Sequence, residues 1–124
     1  MGQKNILIVE DDQDLQKLLN KTLTAEGFTC STVFTAESAV NAISTQPTDL
    51  VILDLGLPNA NGTALLEKMH AESKSKSGLP PVIVLSAHDD QDIIDHVLDK
   101  GAKRFFSKPV DTNKLVSAIK ENLT

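Results

Sequence analysis

Four short stretches carry the residues able to do chemistry, and each begins where an apolar run ends. Glu10-Asp11-Asp12 follows Ile6-Leu7-Ile8-Val9, and Asp54 follows Leu50-Val51-Ile52-Leu53. Ser86-Ala87 follows Val82-Ile83-Val84-Leu85, and Lys108-Pro109 follows Arg104-Phe105-Phe106-Ser107. If these runs are parallel strands of one sheet, their carboxyl ends bring carboxylates, a hydroxyl and an ammonium to a common rim. Hard oxygen ligands in this number suit Mg²⁺, which binds through one or two carboxylates and keeps several waters. Softer metals fit less well, since His88 is the one His or Cys near the rim. Three carboxylates at −3 (Glu10, Asp11, Asp54) and one ammonium at +1 (Lys108) sum to −2. One divalent cation neutralises that charge and lets an anionic phosphoryl group enter. Phosphoryl transfer asks the protein mainly for positioning and charge neutralisation. A carboxylate can accept the group as an aspartyl phosphate. Asp54 is the natural acceptor, with Ser86 and Lys108 as donors to the phosphoryl oxygens.

Taken singly, each residue has a plainer role. Asp12 suits the N-cap of a following helix and Asp14 its first turn, where the helix dipole favours a carboxylate. Glu10 and Asp11 alone read as solvated loop residues, and Asp54 alone as a turn initiator ahead of Pro58. Ser86 suits a helix cap, Lys108 a surface lysine and Pro109 a helix start. His70, His88 and His96 read as exposed polar residues. Independent loop residues have no reason to place acid, acid, hydroxyl and ammonium at four successive strand ends, so the joint reading is preferred.

The elements that must position these groups follow from hydrophobic periodicity. Strands are expected at 6–9, 29–33, 50–53, 82–85 and 104–106. Between them lie apolar positions at helical spacing: Leu15, Leu18, Leu19 and Leu23; Ala39, Ala42 and Ile43; Leu65, Leu66 and Met69; Ile93, Ile94, Val97 and Leu98; Leu115, Val116, Ile119 and Leu123. These positions make each helix amphipathic. Gly27 and Gly101 follow the first and fourth helices, and Thr35 and Asp111 suit the N-caps of the second and fifth. The Ser- and Lys-rich stretch from Glu72 to Gly78 is the most loop-like. Alternating strands and helices imply an α/β fold of flavodoxin-like (βα)5 type, a three-layer sandwich around a parallel five-stranded sheet. Continuous apolar runs at 6–9, 50–53 and 82–85 belong inside the sheet, and the mixed runs at 29–33 and 104–107 at its edges. Right-handed crossovers then give the order 2-1-3-4-5. Ligands of such sheets bind beyond the strand carboxyl ends near the topological switch point, here between strands 1 and 3.

Composition narrows the partners. The chain has 124 residues, 12 Lys and Arg against 17 Asp and Glu, a net charge of −5 and 40% hydrophobic residues. A chain of this size buries roughly two-thirds of its unfolded surface, enough for one core without staples. An acidic balance with no basic cluster argues against direct nucleic-acid binding, which phosphate neutralisation drives. No apolar run approaches the roughly 20 residues needed to span a bilayer, and no secretory signal is present. Met1-Gly2 does not open a myristoylation signal, because Ile6 stands where Ser or Thr is needed. A single cysteine, Cys30, forms no internal disulfide. The expectation is one cytoplasmic domain over residues 1–124, with its core at about 5–123 and no room for an output domain.

The ordered set of motifs resembles the receiver domain of two-component response regulators, from about Asn5 to Leu123. The resemblance rests on Ile6 through Asp12, on Leu53-Asp54-Leu55-Gly56-Leu57-Pro58 with Gly62 downstream, on Leu85-Ser86-Ala87, on Gly101-Ala102 and on Phe105-Phe106-Ser107-Lys108-Pro109. It implies that Asp54 accepts a phosphoryl group from a histidine kinase or a histidine phosphotransfer protein. It implies that Asp11, Asp54 and the Gly56 carbonyl coordinate Mg²⁺ (Mn²⁺ being able to substitute), with Glu10 acting through metal-bound water. Lys108 then pairs with the phosphoryl group, the Lys108-Pro109 peptide is cis, and Ser86, Ala87 and Phe105 belong to the phosphoryl-binding and switch residues. The downstream partner, or a second copy in a homodimer, is expected on the helix 4, strand 5 and helix 5 face. This sequence departs from the common pattern at Ser86 for Thr, Asn61 for Asp, Leu57 for Met and Phe105 for Tyr. None of these changes removes a catalytic group. On this reading the chain is a signalling domain that catalyses only its own phosphorylation and dephosphorylation. Two alternatives come from other classes. A flavodoxin-like FMN binder would need a first loop that cradles phosphate, which Glu10-Asp11-Asp12 would repel. An aspartyl-phosphate phosphatase would need a second acid-base carboxylate near Asp54, where Gly56 stands, and a substrate cap.

Overall fold

Three strands, 5–9, 50–54 and 82–86, are almost entirely apolar and must be covered on both faces, which dictates helices above and below. The computed structural model describes residues 3–56, 62–72, 80–88 and 90–123, and in them ten elements alternate. These are β1 (Asn5–Val9), α1 (Gln13–Ala25), β2 (Thr29–Val33), α2 (Ala36–Thr45), β3 (Leu50–Asp54), α3 (Gly62–Glu72), β4 (Val82–Ser86), α4 (Gln91–Asp99), β5 (Arg104–Ser107) and α5 (Thr112–Asn122). All strand pairings are parallel and the order is β2-β1-β3-β4-β5. The expected order and edge strands are therefore present. The loop stretch after Glu72 lies outside the described residues, as do Leu57, Pro58 and Asn61.

The period-two alternation of side chains divides the core in two. Leu7, Val9, Val51, Leu53, Val82 and Val84 point to one face, where α2 contributes Ala39, Ala42 and Ile43, α3 contributes Leu65, Leu66 and Met69, and α4 contributes Val97. Ile6, Ile8, Leu50, Ile52, Ile83 and Leu85 point to the other, against Leu19 and Leu23 of α1 and Leu115, Ala118 and Ile119 of α5. The register sets Leu7 beside Val51 and Val51 beside Val82, so each face reads as a row across the sheet.

Two apolar helix positions face outward. Leu18 is 48% exposed on α1 and Leu98 is 41% exposed on α4. Gln16 takes an inward place on α1, its amide donating to the Glu10 carbonyl. Periodicity alone does not distinguish the centre of a helix face from its flank, so a leucine on the flank reads as core.

The helix starts are chemically defined. Asp12 accepts from the amides of Asp14 and Leu15, Thr35 from Ser38, and Asp111 from Asn113 and Lys114. Asp90 stands at the N-cap of α4 without a side-chain cap bond. At the far end of α4, Gly101 has φ +107, a conformation that favours glycine, and a Cβ there would sit 3.0 Å from Nε2 of the exposed His70. Asp111→Ala should cost about 1 kcal/mol of stability by urea unfolding, and Asp90→Ala clearly less. Equal costs would show that the cap bond at Asp111 contributes little.

Candidate functional site

The sheet topology brings the ends of β1, β3, β4 and β5 together. Asp54 is the last residue of β3 and is 3% exposed, while Glu10, just past β1, is fully buried. Asp11 is exposed at the mouth. Carboxylate oxygens of Glu10, Asp11 and Asp54 lie within 4.8 Å of one another. Lys108, just past β5, reaches across with Nζ 2.9 Å from Glu10 Oε1 and 3.2 Å from Asp54 Oδ2. The plain surface-lysine role is thereby excluded. The Lys108-Pro109 peptide is cis.

Local bonds aim each group. Asp12 N–H donates to Glu10 Oε2 at 3.1 Å, and Gly56 N–H donates to Asp54 Oδ1 at 2.9 Å. Gly56 carries no side chain over this carboxylate, and a Cβ there would sit 3.4 Å from Asp54 Oδ1. Ser86 is buried at the end of β4, and its Oγ accepts from the His88 amide at 3.0 Å. Its carbonyl accepts from Lys108 N–H at 2.8 Å, and the Leu85 carbonyl from Leu55 N–H at 3.0 Å. The loops carrying Gly56 and Lys108 are thus both tied to the end of β4. Ala87 is exposed, and Phe105 is half-buried against the core face that α2, α3 and α4 cover. A cavity of about 500 Å³ opens beside Ser86, lined by Leu55, His88, Ile93, His96 and Val97 among others.

Electrostatics follow from burial. Desolvation, reinforced by the neighbouring Asp54, raises the Glu10 carboxyl to about 7 against the opposing pull of Lys108. For Lys108, burial alone would lower the ammonium, but Glu10 and Asp54 outweigh it and hold it above its ordinary value. Glu10 Oε1 touches Lys108 Nζ yet receives no well-directed hydrogen bond among the described residues. A buried carboxylate oxygen with unused acceptor capacity beside Asp11 and Asp54 is a donor set for a hard divalent cation. Gln16 is the site-shaping residue that sequence reasoning missed. Its only signal was a polar residue on the inward side of α1, and there it holds the Glu10 main chain.

Comparison with known proteins agrees with this fold. The response regulator receiver domain family matches residues 6–120. The swarming motility regulation protein RssB of Serratia marcescens is 37% identical over 94% of this chain and 51% of its own length. The transcriptional regulatory protein KdpE of Staphylococcus aureus is 32% identical over 95% of this chain and 49% of its own. The chain spans about half the length of these two curated relatives. Among solved structures, a CheY-like receiver domain protein from Methanospirillum hungatei superposes with a TM-score of 0.89 at 30% identity, covering 98% of this chain and 94% of that one. A match over nearly the whole chain, on a backbone this similar, shows that the chain belongs to the response regulator receiver domain family, whose members are signalling domains.

Proposed function

We propose that Asp54 accepts a phosphoryl group from a phosphohistidine on a histidine kinase or phosphotransfer protein. The observation that carries this reading is the placement of Lys108 Nζ between the buried Asp54 and Glu10 carboxylates at the mouth shared with Asp11. In the transfer, an Asp54 oxygen bonds to phosphorus as the phosphorus–nitrogen bond breaks, and the imidazole keeps the electron pair and takes up a proton. Asp11, Asp54 and the Gly56 carbonyl would hold Mg²⁺ or Mn²⁺ on this reading, and Glu10 would act through a bound water. The cation supplies neutralisation of the incoming phosphoryl charge. Lys108 meets the phosphoryl oxygens, and Ser86 releases its bond from the His88 amide to do the same. No external substrate is turned over.

The switch follows from differential binding. Moving a two-state equilibrium from 1:99 to 99:1 takes roughly 5.5 kcal/mol, and charge-assisted hydrogen bonds at about 1.5–3 kcal/mol each supply part of it. Recruitment of Ser86 and Lys108 displaces the end of β4, and Phe105, paired in register with Val84, turns inward by packing since it has no hydroxyl. The surface of α4, β5 and α5 changes in consequence and is the face offered to a downstream protein.

Incubation with acetyl phosphate and Mg²⁺ should add one phosphoryl group by intact mass, and Asp54→Asn should abolish the adduct. A stoichiometric adduct on Asp54→Asn overturns the assignment. Ser86→Ala should still be phosphorylated but lose the amide NMR shifts on the α4, β5 and α5 face; retention of those shifts removes Ser86 from the switch. Glu10 also sets a pH dependence. Its carboxyl titrates near 7 in the fold against 4.5 ordinarily, so between these values the folded chain binds more protons than the unfolded one. Its stabilising contribution is complete below about pH 4.5 and falls as pH rises to about 7, by up to ~3 kcal/mol. Metal-free Glu10→Gln should lose that slope in urea unfolding, and an unchanged slope would contradict the role given to Glu10.

A further inference from the structure

The two edges of the sheet are guarded differently. At β5 the edge is flanked by Lys103 and Pro109, and Arg104 lies over Phe106 at 5.2 Å while pairing with Glu121 at 3.5 Å. Charges and proline are the usual means of blunting an open edge. At β2 the segment Phe28-Thr29-Cys30-Ser31-Thr32-Val33-Phe34 carries no charge, no proline and no glycine. Phe34, at its end, is 55% exposed.

The backbone of this edge is available in a defined pattern. Thr29 N–H donates to the Lys4 carbonyl and the Val33 carbonyl accepts from Glu10 N–H, so the odd-numbered residues face β1. Alternation along a strand then turns the N–H and C=O of Cys30 and Thr32 outward along the free edge. An antiparallel strand centred on Ser31 satisfies all four groups together.

The side chains match that centre. Folding the segment about Ser31 sets Phe28 opposite Phe34, Thr29 opposite Val33, Cys30 opposite Thr32, and Ser31 opposite itself. The pairs within the strand are close in size, Thr29 with Val33 and Cys30 with Thr32, while at the ends the exposed Phe34 lies opposite Phe28, which is half-buried against its own core. Aromatic and β-branched cross-strand pairs add to such a contact. Two copies at −5 each repel overall, and this segment is a part of the surface on which they can meet without opposed charges.

We propose that β2 is a self-association edge, at which a second copy of this chain pairs antiparallel about Ser31 to join two five-stranded sheets into one. Cys30 and Thr32 of one protomer exchange backbone hydrogen bonds with Thr32 and Cys30 of its partner, and the two Ser31 form the close, non-hydrogen-bonded pair. The contact is smaller than the roughly 20 to 30 residues a side of stable interfaces, so the dimer is weak and concentration-dependent. It is separate from the α4, β5 and α5 face.

The register is directly testable. Residues in a non-hydrogen-bonded pair have Cα atoms about 4.5 Å apart, close enough for a disulfide. In a Cys30→Ser background, Ser31→Cys should therefore give a covalent dimer under mild oxidation, while Asp95→Cys on α4 in the same background should not. Sedimentation of the unmodified chain should show self-association rising between about 10 µM and 1 mM, the range of a weak interface. Thr32→Pro removes an outward N–H that β1 does not use, and should leave the chain monomeric. Ser31→Lys keeps the backbone intact, sets two ammonium groups opposite each other and should weaken association at least ~tenfold. Its effect decides the matter if Thr32→Pro fails to fold. A chain that stays monomeric and does not crosslink through Ser31→Cys overturns the proposal. Association that survives Ser31→Lys, or that crosslinks preferentially through Asp95→Cys, also overturns it.

Discussion

Two carboxylates, Glu10 and Asp54, are held out of water at the carboxyl end of the sheet, and one ammonium answers both. Lys108 Nζ sits within 3.2 Å of each, so a single positive charge neutralises at most one of the pair. Burying like charges is costly unless a counter-charge or proton is supplied. Here the deficit is met in part by protonation of Glu10 near neutral pH. The neighbourhood is therefore built with negative charge to spare, and a divalent cation or a proton can complete it. Lys108 is already in place between the two carboxylates, which hold it in its charged form.

Much of this was legible in the chain, for reasons that differ by element. The three inner strands announced themselves because they are covered on both faces and carry no polar position to confuse the period. The edges were recognisable by the opposite property, a mixture of polar and apolar residues along each run. Caps at Asp12, Thr35 and Asp111 were legible because the bond each makes is local, spanning two or three residues. The convergence of Glu10, Asp11, Asp54, Ser86 and Lys108 followed from topology, since strand order alone decides which ends are neighbours.

The parts that escaped are long-range or depend on small angular differences. Leu18 and Leu98 satisfy the helical period yet lie on the flank of their helices, and the choice between flank and centre depends on how each helix is rolled against the sheet. Gln16 was unreadable because its partner is the Glu10 backbone, a group every residue has. The raised titration of Glu10 depends on full burial plus a neighbouring Asp54, and neither is visible until the strands are assembled.

The end of β4 has a mechanical meaning beyond its hydroxyl. Its last two carbonyls, those of Leu85 and Ser86, accept the amides of Leu55 and Lys108, which open the loops after β3 and β5. Both loops are consequently fastened to one short piece of backbone. A shift of that piece of backbone therefore acts on both loops at once.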